Sequence, residues 1–132
     1  MKRIEGWERR FADYLLARKD MPFEWGTNDC ATFMFGAVAT ITGQAMREVT
    51  WSTALEAARV IEADGGLGHA ACAPLGRPSQ NWREIRRGDV ATIDQDGRLA
   101  VCVCTGQTLC GPGPNGLEHL PLDRAINVWK VG

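Results

Sequence analysis

Phe23-Glu24-Trp25-Gly26-Thr27-Asn28-Asp29-Cys30-Ala31-Thr32-Phe33 is the stretch on which the fold of this chain turns. Its first half, aromatic residues around a glycine, reads as a tight loop. Asp29 is a good helix N-cap, and Cys30 follows at the first helical position. Residues 30–42 then read as a helix. Cys30, Phe33, Met34, Ala37 and Ile41 share one face, and the other faces carry Ala31, Gly36 and Ala39 with no charge. A helix without a charged side is a buried helix. Its small residues predict close packing against a sheet, and Gly43 is its C-terminal stop.

Upstream, residues 3–19 read as an amphipathic helix. Trp7, Phe11, Tyr14, Leu15 and Arg18 recur at three- and four-residue steps, and the opposite face is charged. Pro22 enforces an end after Asp20, because the residue before proline is pushed out of helical geometry. Downstream, residues 53–63 form a third helix, with Thr53 and Glu56 as a capping box and Gly65-Gly66 as its stop. Residues 67–82 show no dominant period. From Gly88 onward the pattern is that of strands. Asp89–Ile93 leads into Asp94-Gln95-Asp96-Gly97, a hairpin signal. Leu99–Cys104 alternates, residues 107–111 and 117–121 flank the turn Gly113-Pro114-Asn115-Gly116, and Ala125–Val131 is a last strand. Helices first and an antiparallel meander second give an α+β fold, with the central helix on a small curled sheet.

The chain has 132 residues, 45% hydrophobic and 23% charged, with a net charge of −1. That composition suits one domain over residues 1–132 with a real core. The balanced charge gives no electrostatic reason to expect nucleic acid or an anionic membrane as partner. No run approaches the roughly 18 apolar residues of a membrane-spanning helix, so no membrane insertion is expected. The basic start lacks a following apolar stretch, so synthesis and folding in a cytoplasm are expected. The five cysteines, Cys30, Cys72, Cys102, Cys104 and Cys110, are odd in number, and reduced thiols are the expectation.

Cys30 is sited where a nucleophile is useful. Free backbone N–H groups and the dipole at a helix start favour a thiolate and lower its pKa. Asp29 opposes this with a nearby negative charge. The bland alternative is that Cys30, on the apolar face with Phe33 and Met34, is a small core hydrophobe.

The motif Phe23-x-Trp25-Gly26-x-x-Asp29-Cys30-Ala31-Thr32-Phe33 resembles the nucleophile segment of the NlpC-type, papain-like cell-wall cysteine peptidases. Gly88-Asp89-Val90 looks like the opening of their first sheet strand. The chain is also similar over nearly its whole length to small phage tail proteins related to those enzymes. It shares their tryptophan-rich first helix, the turn Pro112-Gly113-Pro114-Asn115-Gly116-Leu117 and the closing Trp129-Lys130-Val131. The resemblance implies a papain-like domain, Cys30 as nucleophile behind its N-cap Asp29, Trp25 and Gly26 at the rim of a binding cleft, and no cofactor or metal. It also implies a place in a virion tail, with other phage tail proteins and peptidoglycan as partners.

A cysteine peptidase also needs a base, usually a histidine oriented by a third polar group. In the resembled enzymes that histidine opens the strand after the first hairpin. Here the strand is Leu99-Ala100-Val101-Cys102-Val103-Cys104 and has none. The third position falls near Leu109 or Cys110. The two histidines lie elsewhere. His69 is in the unpatterned stretch, and His119, in a late strand, is the better outside candidate for a base. Losing a triad member removes several orders of magnitude of rate. Cys102 and Cys104 would share a strand face near Cys110, but that spacing without histidine is a poor zinc pattern. Arg83, Arg86 and Arg87 form a basic cluster, either a solvated helix end or a subunit contact. The missing base makes a structural tail-tip or tail-assembly component the expected function, with an active hydrolase of peptidoglycan stem peptides during genome entry and a module that binds such peptides without cutting them as the alternatives.

Overall fold

A computed structural model describes residues 1–132 as an α+β domain. Four helices come first, α1 (Trp7–Arg18), α2 (Cys30–Thr42), α3 (Ala54–Ala63) and α4 (Leu67–Cys72). Five antiparallel strands follow, β1 (Val90–Gln95), β2 (Arg98–Cys104), β3 (Leu109–Gly113), β4 (Gly116–Leu120) and β5 (Asn127–Trp129). They form one sheet in the order β4-β3-β2-β1-β5.

The central helix has the bounds its caps dictate. Asp29 accepts from the Thr32 backbone N–H, and the Thr32 hydroxyl accepts from the Asp29 N–H, closing a capping box. Gly43 ends the helix in the left-handed conformation, φ 73°. Phe33, Met34, Ala37, Val38 and Ile41 are all buried, and they meet Val90, Val101, Val103 and Cys110 on one face of the sheet. Gly36 serves a different neighbour from the expected one. A Cβ there would lie 2.3 Å from the Tyr14 hydroxyl, so the small residue admits α1, not the sheet. Tyr14 uses that gap to donate to the Phe33 carbonyl at 2.8 Å.

The other sheet face carries Ala91, Ile93, Cys102, Cys104 and Leu109. It is covered by 3₁₀ turns at Trp82–Glu84 and Leu122–Arg124, packed through Ile85, Ala125 and the partly buried Trp82 and Leu122. Both faces are thus apolar, which is why β2 reads as a nearly continuous hydrophobic run.

Several boundaries move for physical reasons. Helix α1 begins at Trp7, not residue 3, because Gly6 is left-handed at φ 79°. That frees Arg3 to reach the buried Asp89 carboxylate at 3.0 Å. The last strand is shorter than 125–131, because the Val131 backbone N–H turns to the Asp89 carboxylate at 3.1 Å, which the Lys130 ammonium also meets at 3.0 Å. At α3, Thr53 caps the Glu56 N–H, but Glu56 reaches back to the N–H of Ser52, so only half of the expected box forms. Strand β3 runs to Gly113, two residues past the expected end.

The β1–β2 hairpin turns at Asp96-Gly97, both with positive φ (54° and 84°), as a two-residue turn of the primed type requires. By contrast β2 and β3 pair only at Val103↔Cys110 and Cys104↔Leu109. One pleat further the register would set Pro112 opposite Val101. Proline has no N–H to give the Val101 carbonyl. The ladder stops there and the two hairpins splay into a wedge.

Candidate functional site

Cys30 sits at the apex of this wedge, half-buried at the start of α2. On the open side a cleft runs between two walls. One wall is the β1–β2 hairpin with Arg98, Leu99 and Ala100, and the other is Pro112–Pro114 with Glu118. Phe23 and Trp25 close the helix side, their rings edge to face at 4.9 Å between centroids. Behind Cys30 lies a cavity of about 100 Å³ between α2, Trp51, α3 and α4. Phe35, Trp51, Val60, Ile61 and Leu67 line it, and Trp25 and Leu99 stand at both cavity and cleft. Those two are exposed at 40% and 54%, apolar groups left in solvent beside an apolar hole.

The loop before Cys30 is held by its own polar groups. The buried Asp29 carboxylate accepts three N–H groups: Thr32 N–H at 2.9 Å on one oxygen, and Gly26 N–H at 2.9 Å and Trp51 Nε1–H at 2.7 Å on the other. Gly26 has φ 83°, and a Cβ would lie 2.4 Å from the Trp51 carbonyl oxygen, so no other residue fits. Asn28, fully buried, donates to the Met21 and Pro22 carbonyls and accepts from Arg18. Asp29 is therefore fully occupied with structure.

The Cys30 thiol is pushed up from its ordinary value. Desolvation by burial is the largest cause. Backbone groups of Val101, and of Ala31 and Cys30 at the helix start, pull the other way, while the Asp29 charge adds to the rise. The expected lowering by the helix start is present and is outweighed.

A family model described as Domain of unknown function (DUF6950) matches residues 2–131. The chain belongs to that family. No curated protein and no solved structure matches it. In this DUF6950 domain the strand facing Cys30 offers Leu99, Ala100 and Val101, none of which carries a proton at neutral pH. His119 stands on β4 opposite Cys110, exposed, with Nδ1 2.7 Å from the Thr108 hydroxyl. It lines none of the three openings that meet at Cys30. His69 lies on α4, with Nδ1 2.7 Å from the Asp64 carbonyl oxygen, facing a separate surface hollow. The carboxylates that do line the Cys30 openings are Asp29 and Glu118.

The remaining signals resolve into packing. Cys102 and Cys104 share the outer sheet face as expected, but Cys110 faces α2. No group of three or more metal-ligating side chains is arranged to hold an ion, and all five thiols are free. Arg83, Arg86 and Arg87 engage their own chain. Arg83 lies over Trp82, Arg86 donates to the Arg83 and Ile85 carbonyls, and Arg87 donates to the Glu8 carbonyl beside Trp7. Asn28 and Trp51 escaped the sequence reading. Their partners are backbone carbonyls and a carboxylate brought in by folding, and no local pattern marks them.

Proposed function

We propose that this DUF6950 domain is a structural component of a phage tail tip or phage-like particle, built on a degenerate NlpC-like, papain-like fold. It is made in the bacterial cytoplasm, assembles with other tail proteins and is carried in the virion tail. One observation carries the non-catalytic part of this reading: the openings that meet at Cys30 contain no histidine. The wall where a base is needed is Leu99 and Ala100, and burial holds the thiol above its ordinary range. A nucleophile in that state lacks both the means to ionise and a donor for the leaving amine. The association with tails rests on the sequence resemblance alone.

The test compares wild type with Cys30→Ala on purified cell wall, with released stem peptides followed by mass spectrometry. Equal, negligible release is expected. Release by wild type alone would establish the hydrolase instead. Retention of intact stem peptides without release would favour a peptidoglycan-binding module. Fractionation of purified particles checks the location. The protein should co-migrate with tails, and recovery only as a free monomer would count against assembly.

A further inference from the structure

We infer that the wedge between β2 and β3 is a docking slot for an extended peptide strand of a partner protein, with one aliphatic side chain seated in the cavity behind Cys30. The inference rests on reading the cleft as one that docks and does not cut. Three features of the slot specify this occupant.

The first is backbone chemistry. The N–H of Cys104 bonds the Asp89 carbonyl beside β1, whereas the N–H of Thr105 bonds Thr108 on the opposite side. Backbone groups alternate along a strand, so those of Leu99 and Val101 point away from β1, into the wedge. The Val101 N–H is taken by the Cys30 sulfur and Pro112 has no N–H for the Val101 carbonyl, so Leu99, which has no register partner on β3, is the open position of this edge. An unpaired strand edge recognises a peptide backbone, by addition of a strand.

The second is the cavity. Its lining is apolar, and at about 100 Å³ it is smaller than the roughly 150 Å³ hole that admits benzene. An apolar hole of that size suits a branched aliphatic side chain. Leu99 and Trp25 at its mouth would be covered by the same strand.

The third is charge. Arg98 on one wall and Glu118 on the other line the cleft together, and neither has an ion-pair partner. In the ladders Arg98 shares the outer face with Ala100, and Glu118 with Gly111, whereas Leu99 faces the cavity. Side chains of an inserted strand alternate in the same way. An inward aliphatic residue is thus flanked by two outward ones, acidic toward Arg98 and basic toward Glu118.

The probes are two blocked pentapeptides, acetyl-Thr-Glu-Val-Lys-Thr-amide and its charge-swapped form acetyl-Thr-Lys-Val-Glu-Thr-amide, which cover both strand directions. Binding to the full chain is followed by Trp fluorescence and calorimetry, and the peptide is recovered for mass analysis. One of the pair should bind intact. Methylating the central valine nitrogen should weaken it about tenfold or more, as expected for lost backbone pairing. Replacing the valine by tryptophan should weaken it similarly. Because these changes are in the peptide, misfolding of the protein cannot produce them. No binding by either peptide, or binding indifferent to the methyl group, overturns the slot and leaves the assembly role standing. Cleavage of the peptide overturns both.

Discussion

Asp29 accepts the N–H groups of Gly26, Thr32 and Trp51 in a buried position, so one carboxylate joins the aromatic loop, the start of α2 and the segment before α3. Removing it takes away a helix cap and leaves the Trp51 and Gly26 donors without acceptors. Caps contribute about 1 kcal/mol and each stranded buried donor about 1–3 kcal/mol. Asp29→Ala should therefore lower stability by about 3 kcal/mol or more in urea unfolding. A loss below about 1 kcal/mol would mean that water replaces the carboxylate and that the loop is not tied through it. The N-cap was legible from the pair Asp29-Cys30, because a cap is a local event. The Trp51 bond was not, because it joins residues far apart in sequence. The same limit applies to Cys30 itself: the helix start is visible in the sequence, and the desolvation that overrides it arises only when β2 packs alongside.

At the scale of elements, α2 had the bounds that Asp29 and Gly43 announce, while α1 and the last strand were read too long. Both shortened where residues leave a regular element to reach Asp89, a destination with no local signal. Strands β1 and β2 were legible because two short apolar runs and the Asp-Gly turn between them lie within one hairpin. The wedge was not, although its cause, Pro112, is in plain view, because a proline matters only once its register partner is known. Residues 67–82 gave no period, since α4 is six residues long and is followed by a 3₁₀ turn containing Pro74. The α1–α2 contact yields the sharpest prediction here. Gly36→Ala places a methyl within 2.3 Å of the Tyr14 oxygen, which must move and give up its bond to Phe33. Overpacking and the stranded hydroxyl together should destabilise the fold by about 1–3 kcal/mol, although alanine is the better helix former. Tyr14→Phe removes the 2.3 Å contact but leaves the ring Cζ at 2.9 Å, so the double variant should recover only part of the loss. Strict additivity in a double-mutant cycle would show that the two side chains do not meet.

Across the whole molecule, the chain ends are joined at Asp89, which accepts from Arg3, Arg86, Lys130 and Val131. The interior holds five free thiols, four of them buried. Burial raises all five above their ordinary value of 9.0, with Cys72 and Cys110 pushed up to about 12. In each the leading cause is desolvation, so the folded state holds protons that the unfolded chain releases first. The stability from these groups is fully present below 9.0 and is lost as pH rises toward the folded values. Through that window each such thiol lowers stability by about 1.4 kcal/mol per pH unit. Tyr14, raised from 10.0 to about 12 chiefly by burial, adds to the slope at its upper end. Urea unfolding under reducing conditions should thus give a steep fall between pH 9 and 11, with little contribution from the thiols below about pH 8. Cys110→Ala should make the slope shallower by about 1.4 kcal/mol per pH unit over the same range. An unchanged slope would mean that Cys110 ionises as readily in the folded chain as in the unfolded one, and that the α2 side of the sheet is wetter than its packing implies.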